Sequence, residues 1–252
     1  MTKVLSIAGS DPSGGAGIQA DLKTFQALGA FGMAIPASLT VQNSKGVKAA
    51  YPVEARAFMD QIETLLSDIR PDGVKTGMLL MPWTVKAVAK AVKKHRIRHR
   101  VVDPVLRASS GRMLLTRDAV QVLRKELFPQ ALLVTPNIPE AEALTGMQIV
   151  DDQDMDYAAG KLLDMGPRYV LIKGGHRRGP AIDTLYGGGV VHSYSTERLK
   201  GLFHGTGCVL SAAITVFIGR GMPVEKGKQF VEKMLMKAKP VGKGGVKYFQ
   251  FT

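Results

Sequence analysis

One cysteine in 252 residues leaves no intramolecular disulfide possible, so the fold rests on a buried core, and the compartment suggested is a reducing one. Aromatic residues are scarce, at 6%, and are not interleaved with the basic clusters as base stacking requires, which argues against nucleic-acid binding. No stretch approaches the roughly 18 uninterrupted apolar residues of a membrane span. The opening MTKVLSIAGSDPSGG carries an apolar run too short for a secretory signal, so the expected location is cytoplasmic. Acidic residues are in deficit, 21 against 34 basic, and the net charge of +13 favours anionic partners. Phosphorylated small molecules, a membrane surface and nucleic acid all fit that sign. The cluster KKHRIRHR (93–100) reads as the basic last turn of a helix. Neither a Walker A loop nor a dinucleotide fingerprint is present, because no GK[ST] follows the first Gly-rich turn and GGAGIQA lacks the third glycine. Internal repeats and low-complexity linkers are absent too.

What is present is alternation. Strand-length apolar runs occur at 4–8, 34–39, 73–77, 100–105, 131–135, 169–173, 182–186 and 190–194. Amphipathic patterns such as GIQADLKTFQALG, EARAFMDQIETLLSDI and PWTVKAVAKAVKKH separate most of them. Near-continuous apolar strands between helices predict a mostly parallel sheet covered on both faces: a three-layer α/β/α domain spanning 1–252. The last two strands, split only by GGG (187–189), predict a hairpin. Ligands of such sheets bind beyond the carboxyl ends of the strands.

Those ends carry chemistry. GSDPSGGAGIQAD (9–21) turns into a helix, and tight turn and ligand loop weigh equally there. Asp11 and Asp21 are candidate acceptors for a ligand N–H or O–H, while Asp21 also suits an exposed first helical turn. Asp103, ending an apolar strand, either organises a divalent metal and phosphates or caps the turn before Pro104. Asn137 and Glu140 read as a capping box or as Mg²⁺-organising groups acting through water. Lys173 in KGGH (173–176) is a point charge suited to phosphate. In HGTGC (204–208), Gly205 and Gly207 leave room for an anion at a helix N-terminus. The same helix field would lower the Cys208 thiol pKa toward partial ionisation at neutral pH. An arbitrary lone cysteine in an apolar helix is more often a small packing residue.

Taken together, IAGSDPSGGAGIQADLKTFQALGA, VQNS, VKTGML, DPV, TPNIPEAEALTG, KGGH and HGTGC, in this order, resemble the hydroxymethylpyrimidine/phosphomethylpyrimidine kinases of the ribokinase-like superfamily. The resemblance runs from residue 4 to about 220. It implies a ribokinase-like fold and ATP- and Mg²⁺-dependent phosphorylation of 4-amino-5-hydroxymethyl-2-methylpyrimidine, then of its monophosphate, in thiamine biosynthesis. It further implies that Gly9, Asp11, Ala16, Asp21, Gln42, Met78 and Val105 surround the pyrimidine. Asp103, Asn137, Lys173 and Thr206 fall at phosphate-binding positions, with Asp103 and Glu140 toward the metal. Gly205, Thr206, Gly207 and Cys208 fall on the anion hole and base, and Cys208 stands where many sugar-kinase relatives carry aspartate. A homodimer is the implied assembly. The chain departs from the family at its end, PVGKGGVKYFQFT (240–252), where a Gly-His-Gly-Pro-Val-Asn-His-like stretch is common. Vitamin B6 (pyridoxal) kinases share the Gly-rich loop and a GTGC-like ending. Gln42, with an amide donor and an acceptor, favours an aminopyrimidine edge. A non-catalytic nucleotide- or nucleic-acid-binding protein on the same scaffold would not need Asp103, Glu140, Lys173 and Cys208 together.

Overall fold

The computed structural model describes residues 1–108, 111–175 and 180–251. In chain order the elements are β1 (Lys3–Ser10), α1 (Gly17–Ala27), β2 (Phe31–Asn43), β3 (Gly46–Pro52), α2 (Ala55–Asp68), β4 (Gly73–Thr76), α3 (Pro82–Lys94) and β5 (Arg100–Val102). Then come α4 (Arg117–Val122), β6 (Leu133–Val134), α5 (Ile138–Thr145), α6 (Asp152–Leu163), β7 (Tyr169–Lys173), β8 (Ala181–Gly187) and β9 (Val190–Thr196). The chain closes with α7 (Thr206–Gly219), α8 (Glu225–Lys237) and a short ladder of β10 (Lys239–Pro240) with β11 (Lys247–Tyr248).

Nine strands form one sheet in the order β3-β2-β1-β4-β5-β6-β7-β8-β9. The six strands from β2 to β7 in that order are parallel, and β3, β8 and β9 add antiparallel edges. Period-2 alternation divides the strand residues between two cores. Leu5, Ile7, Val102, Val170 and Ile172 pack with α2 to α6, while Val4, Val101, Leu133 and Leu171 pack on the side of α1, α7 and α8. Phe58 and Phe25 are fully buried on opposite faces, and each such side chain contributes about 1.5–3 kcal/mol. Helix α7 is apolar almost all round because it lies beneath α1 and α8, against β1, β4 and β5. Helix α3 ends with Lys93 and Lys94 in its last turn, the cationic end expected of the basic cluster. Among the described residues no helix is long and apolar enough to cross a membrane.

Four departures from the sequence pattern matter. TVQNS, expected as a loop, continues β2 to Asn43 and turns into β3. Strand β3 was not expected, since none of its residues is fully buried and it shows no apolar alternation. RVVDPV was expected as strand to residue 105, but pairing stops at Val102, because Pro104 has no N–H to donate. Finally, α4 and the π-turn behind it (Leu123–Leu127) fill a stretch that carried no helical expectation.

Candidate active site

The carboxyl ends of β1, β4, β5, β6 and β7 and the start of α7 meet at one edge of the sheet. Bonds across that edge place the groups. Lys173 Nζ donates to Asp103 Oδ1 at 3.0 Å, and the backbone N–H of Lys173 donates to the Pro136 carbonyl at 2.8 Å. Asp103 also accepts from Thr135 Oγ1 at 3.3 Å and from Ser211 Oγ, on the second turn of α7, at 3.2 Å. A side chain on Gly207 would stand 3.2 Å from Lys173 Nζ and 3.7 Å from Asp103 Oδ2. The strand-end charges therefore lie directly against the first turn of α7. Asn137 and Glu140 form the expected capping box, each side chain bonded at 2.8 Å to the other's backbone N–H.

The electrostatics of this corner are uneven. Burial pushes Asp103 up, but Lys173 and Lys75 beside it hold it below the ordinary carboxylate range. Glu140 is pushed up to about 7 by burial; Lys173 pulls it down, while the Asp103 charge adds to the rise. Burial works against the Lys173 charge, yet Asp103 and Glu140 hold its pKa above the usual lysine value. One cation thus serves two carboxylates.

Cys208 sits in the first turn of α7, whose N-cap Gly205 has φ 78°. A side chain at Gly205 would collide with the Gly15 carbonyl, and one at Gly17 with the Gly9 carbonyl, so HGTGC and the Gly-rich loop touch through backbone. The Gly17 N–H is directed at the Cys208 sulfur. The expected lowering of the thiol pKa does not occur. Burial raises it to about 11, and Asp21 and Asp103 add to the rise, outweighing Lys75 and the Gly17 N–H. Cys208 is a thiol at neutral pH here, because the helix field acts only partly against loss of water.

Two expected ligand carboxylates are otherwise committed. Asp21 is fully buried and accepts from Lys75 Nζ at 2.8 and 3.0 Å and from Ser6 Oγ at 2.5 Å. It is not an exposed helix residue; it holds Lys75 charged beneath the site. Burial raises its own pKa against the pull of Lys75. Asp11 binds its own loop, accepting from Ser13 N and Oγ, Gly15 N and Ala16 N at 2.7 to 3.2 Å. It also accepts from His204 Nε2 at 2.9 Å. Burial would raise Asp11, but the His204 and Ser13 hydrogen bonds bring it down to about 2.

Gln42 lies beside this loop, its amide nitrogen Nε2 3.2 Å from His204 Nε2. Tyr248, from the divergent tail, meets the His204 ring edge-on at 5.2 Å and bonds Ser13 Oγ at 3.3 Å. Met78 packs on Gly9, Val105 is partly exposed beside Asp103, and Ala16 ends the Gly-rich loop. A groove of ≈ 440 Å³ opens next to Gln42, lined also by Val41, Lys45, Val47, Lys48 and Arg112. Lys75, His204 and Tyr248 were missed as site residues. A lysine inside the apolar run of VKTGML was a legible sign of a buried ion pair; nothing local marked His204 or Tyr248. His176 of KGGH lies outside the described residues.

A parallel sheet with a Gly-rich loop after β1, a lysine ending β7 and a glycine-capped helix bearing Cys208 is the layout of a ribokinase-like small-molecule kinase. The family described as Phosphomethylpyrimidine kinase matches residues 11–248. A hydroxymethylpyrimidine/phosphomethylpyrimidine kinase of Bacillus subtilis is 39% identical over 252 residues, covering 96% of this chain and 92% of that protein. The thiamine biosynthesis bifunctional protein ThiED of Geobacter sulfurreducens is 44% identical over 247 residues, 96% of this chain; the chain spans 50% of that longer protein. The crystal structure of phosphomethylpyrimidine kinase from Clostridium difficile superimposes with a TM-score of 0.82 at 40% identity, covering 94% of this chain and 99% of that one. The Bacillus subtilis pyridoxal kinase, solved as an ADP complex, gives a TM-score of 0.90 at 34% identity, covering 100% and 97%. The chain belongs to the phosphomethylpyrimidine kinase family.

Proposed function

We propose that this protein transfers the terminal phosphoryl group of ATP to the hydroxymethyl oxygen of 4-amino-5-hydroxymethyl-2-methylpyrimidine, and again to the resulting monophosphate. The observation that carries this reading is the placement of Lys173 and Asp103 against Gly207 in the first turn of α7, next to Cys208, with Glu140 close enough to interact with both charges. Phosphoryl transfer needs alignment and neutralised charge more than covalent help. Lys173 and the free N–H groups of the glycine-capped turn, Gly205 to Cys208, hold the transferring phosphoryl group. Thr206 offers its hydroxyl in the same turn, and Asn137 fixes Glu140 through the capping box.

The donor set suits Mg²⁺. Two carboxylates beside one lysine leave negative charge that a cation would neutralise; the rise of Glu140 to about 7 comes first from burial, with the Asp103 charge adding to it. Among the described residues no group of three or more His, Cys, Asp or Glu could hold a metal, so Mg²⁺ at Asp103 and Glu140 would be completed by water and phosphate oxygens. When bound at Asp103 and Glu140, Mg²⁺ would supply charge neutralisation for the phosphate oxygens. Gly9, Ala16, Met78 and Val105 enclose the ring, with Gln42 at its polar edge. Cys208 takes the hydroxyl proton as its thiolate. That form is scarce in the unliganded site and is stabilised by Lys75 beneath it. Positioning therefore supplies most of the rate and Cys208 a smaller share. The small molecules are the partners in this reading, in a homodimer as in the family resemblance.

A second reading, phosphorylation of pyridoxal, is favoured by the TM-score of 0.90 to a pyridoxal kinase. Coupled measurement of ADP release with the hydroxymethylpyrimidine, its monophosphate and pyridoxal, each alone, decides between them. Turnover with both pyrimidines at higher kcat/KM than with pyridoxal supports the proposal. Turnover with pyridoxal alone establishes the second reading, and no ADP with any of the three overturns both.

A further inference from the structure

His204 bridges two groups that were read separately. Its Nε2 lies 2.9 Å from Asp11 Oδ2 and 3.2 Å from Nε2, the amide nitrogen, of Gln42. A carboxylate accepts and cannot donate, so Nε2 must carry a hydrogen and give it to Asp11. Asp11 has no freedom to turn away, since four further hydrogen bonds from its own loop hold both oxygens. Nor has the imidazole: Tyr248 packs on its edge, and a side chain on Gly15 would collide with its Cδ2. The ring is thus a fixed N–H donor.

That donor has a consequence for Gln42. Amide oxygen and nitrogen have almost the same shape, and their partners decide which faces where. With its NH₂ toward Nε2–H, as the atoms stand, the amide sets two donors against each other, so the network calls for the amide turned over. The amide oxygen turned the same way shares the Nε2 hydrogen with Asp11. We infer that His204, locked by Asp11, holds the Gln42 amide with its oxygen on the His204 side and its NH₂ on the other, and so determines which heterocycle edge the pocket accepts. This rests on the reading that Gln42 faces the pyrimidine.

A free glutamine amide is ambivalent. By turning over, it matches an amino group beside a ring acceptor nitrogen, or a carbonyl beside a ring N–H. A locked amide matches the first order alone, and the second leaves buried donors and acceptors unpaired. His204 is then a positioning residue for specificity. It touches neither the phosphoryl group nor the proton in flight.

The test compares the 4-amino substrate with its 4-oxo counterpart, whose ring edge is carbonyl and N–H. Replacing His204 by phenylalanine keeps a ring for Tyr248 to pack on but removes the donor. The ratio of kcat/KM, amino over oxo, is expected to fall about ten-fold or more, through relative gain of the oxo compound, with the KM for ATP unchanged. A merely structural defect lowers both compounds together, and an unchanged ratio in a folded His204→Phe protein overturns the inference. His204→Gln, which still carries an N–H for Asp11, is expected to keep the wild-type ratio; a ratio as relaxed as that of phenylalanine overturns it too. Gln42→Glu, acceptor only, separates the two levels of the argument. If it leaves the ratio unmoved, Gln42 does not face the ring and the underlying reading fails. If it shifts the ratio while His204→Phe does not, only the lock fails. Nitrogen-15 NMR of the unaltered protein needs no variant: Nε2 of His204 is expected as a protonated, pyrrole-type nitrogen at neutral pH, and a pyridine-type signal overturns the lock.

Discussion

The two halves of the site are built on opposite plans. On the Gly-rich loop side, polar groups satisfy one another: Asp11 with its loop and His204, Asp21 with Lys75 and Ser6, Tyr248 with Ser13. On the strand-end side charge is left in surplus, with Asp103 and Glu140 sharing Lys173. A neutral heterocycle needs shape and a fixed hydrogen-bond order, which a closed network supplies. A phosphoryl group in flight needs positive charge in place, and unneutralised carboxylate charge is what would draw in the cation that supplies it beside Lys173. The close backbone approach of Gly205 to the Gly15 carbonyl joins the two halves.

That contrast is open to attack by substitution. Lys173→Ala should be the most damaging, lowering kcat by about 10²–10³-fold with little change in pyrimidine KM, read by steady-state ADP release. A loss confined to KM would show that the strand-end side binds rather than catalyses. Cys208→Ala should lower kcat by about 10²-fold while ATP still binds, measured by calorimetry; normal turnover would remove Cys208 from the reaction. As the sole cysteine, Cys208 also reports its own protonation. Alkylation by iodoacetamide should be slow at pH 7 and accelerate toward about pH 11, and a plateau below pH 8 would mean the helix field wins after all.

The smallest effect tests the closed network. Asp11 is held at about 2, below its ordinary 3.8, so its ionised form favours the folded state. That stabilisation is complete above the ordinary value and is lost as pH falls from 3.8 toward 2. The melting temperature of Asp11→Asn should therefore lie below that of the wild type at pH 6, and the gap should narrow at pH 3. A gap independent of pH would assign the loss to shape rather than charge.

Much of this was legible along the chain. The eight apolar runs and the helices between them anticipated the parallel sheet because burial on both faces imposes a pattern that short windows carry. The capping box at Asn137 and Glu140 was legible for the same reason, its partners lying three residues apart. Strand β3 was not, since its half-exposed residues carry no apolar alternation. Gln42 and His204 are 162 residues apart, and His204 and Asp11 193, so no local spacing announces their contact. The state of Cys208 was misjudged because a helix N-terminus is visible in sequence and the degree of burial above it is not.

The sequence alone determined the layered α/β architecture and which strand ends carry charge, since local periodicity and residue chemistry do not depend on distant partners. Tertiary structure decided the protonation of Cys208 and Glu140, the partners of Asp11 and Asp21 within the protein, and the bridge through His204. These depend on solvent exclusion and on distances across the fold, and neither quantity is written in any short stretch of chain.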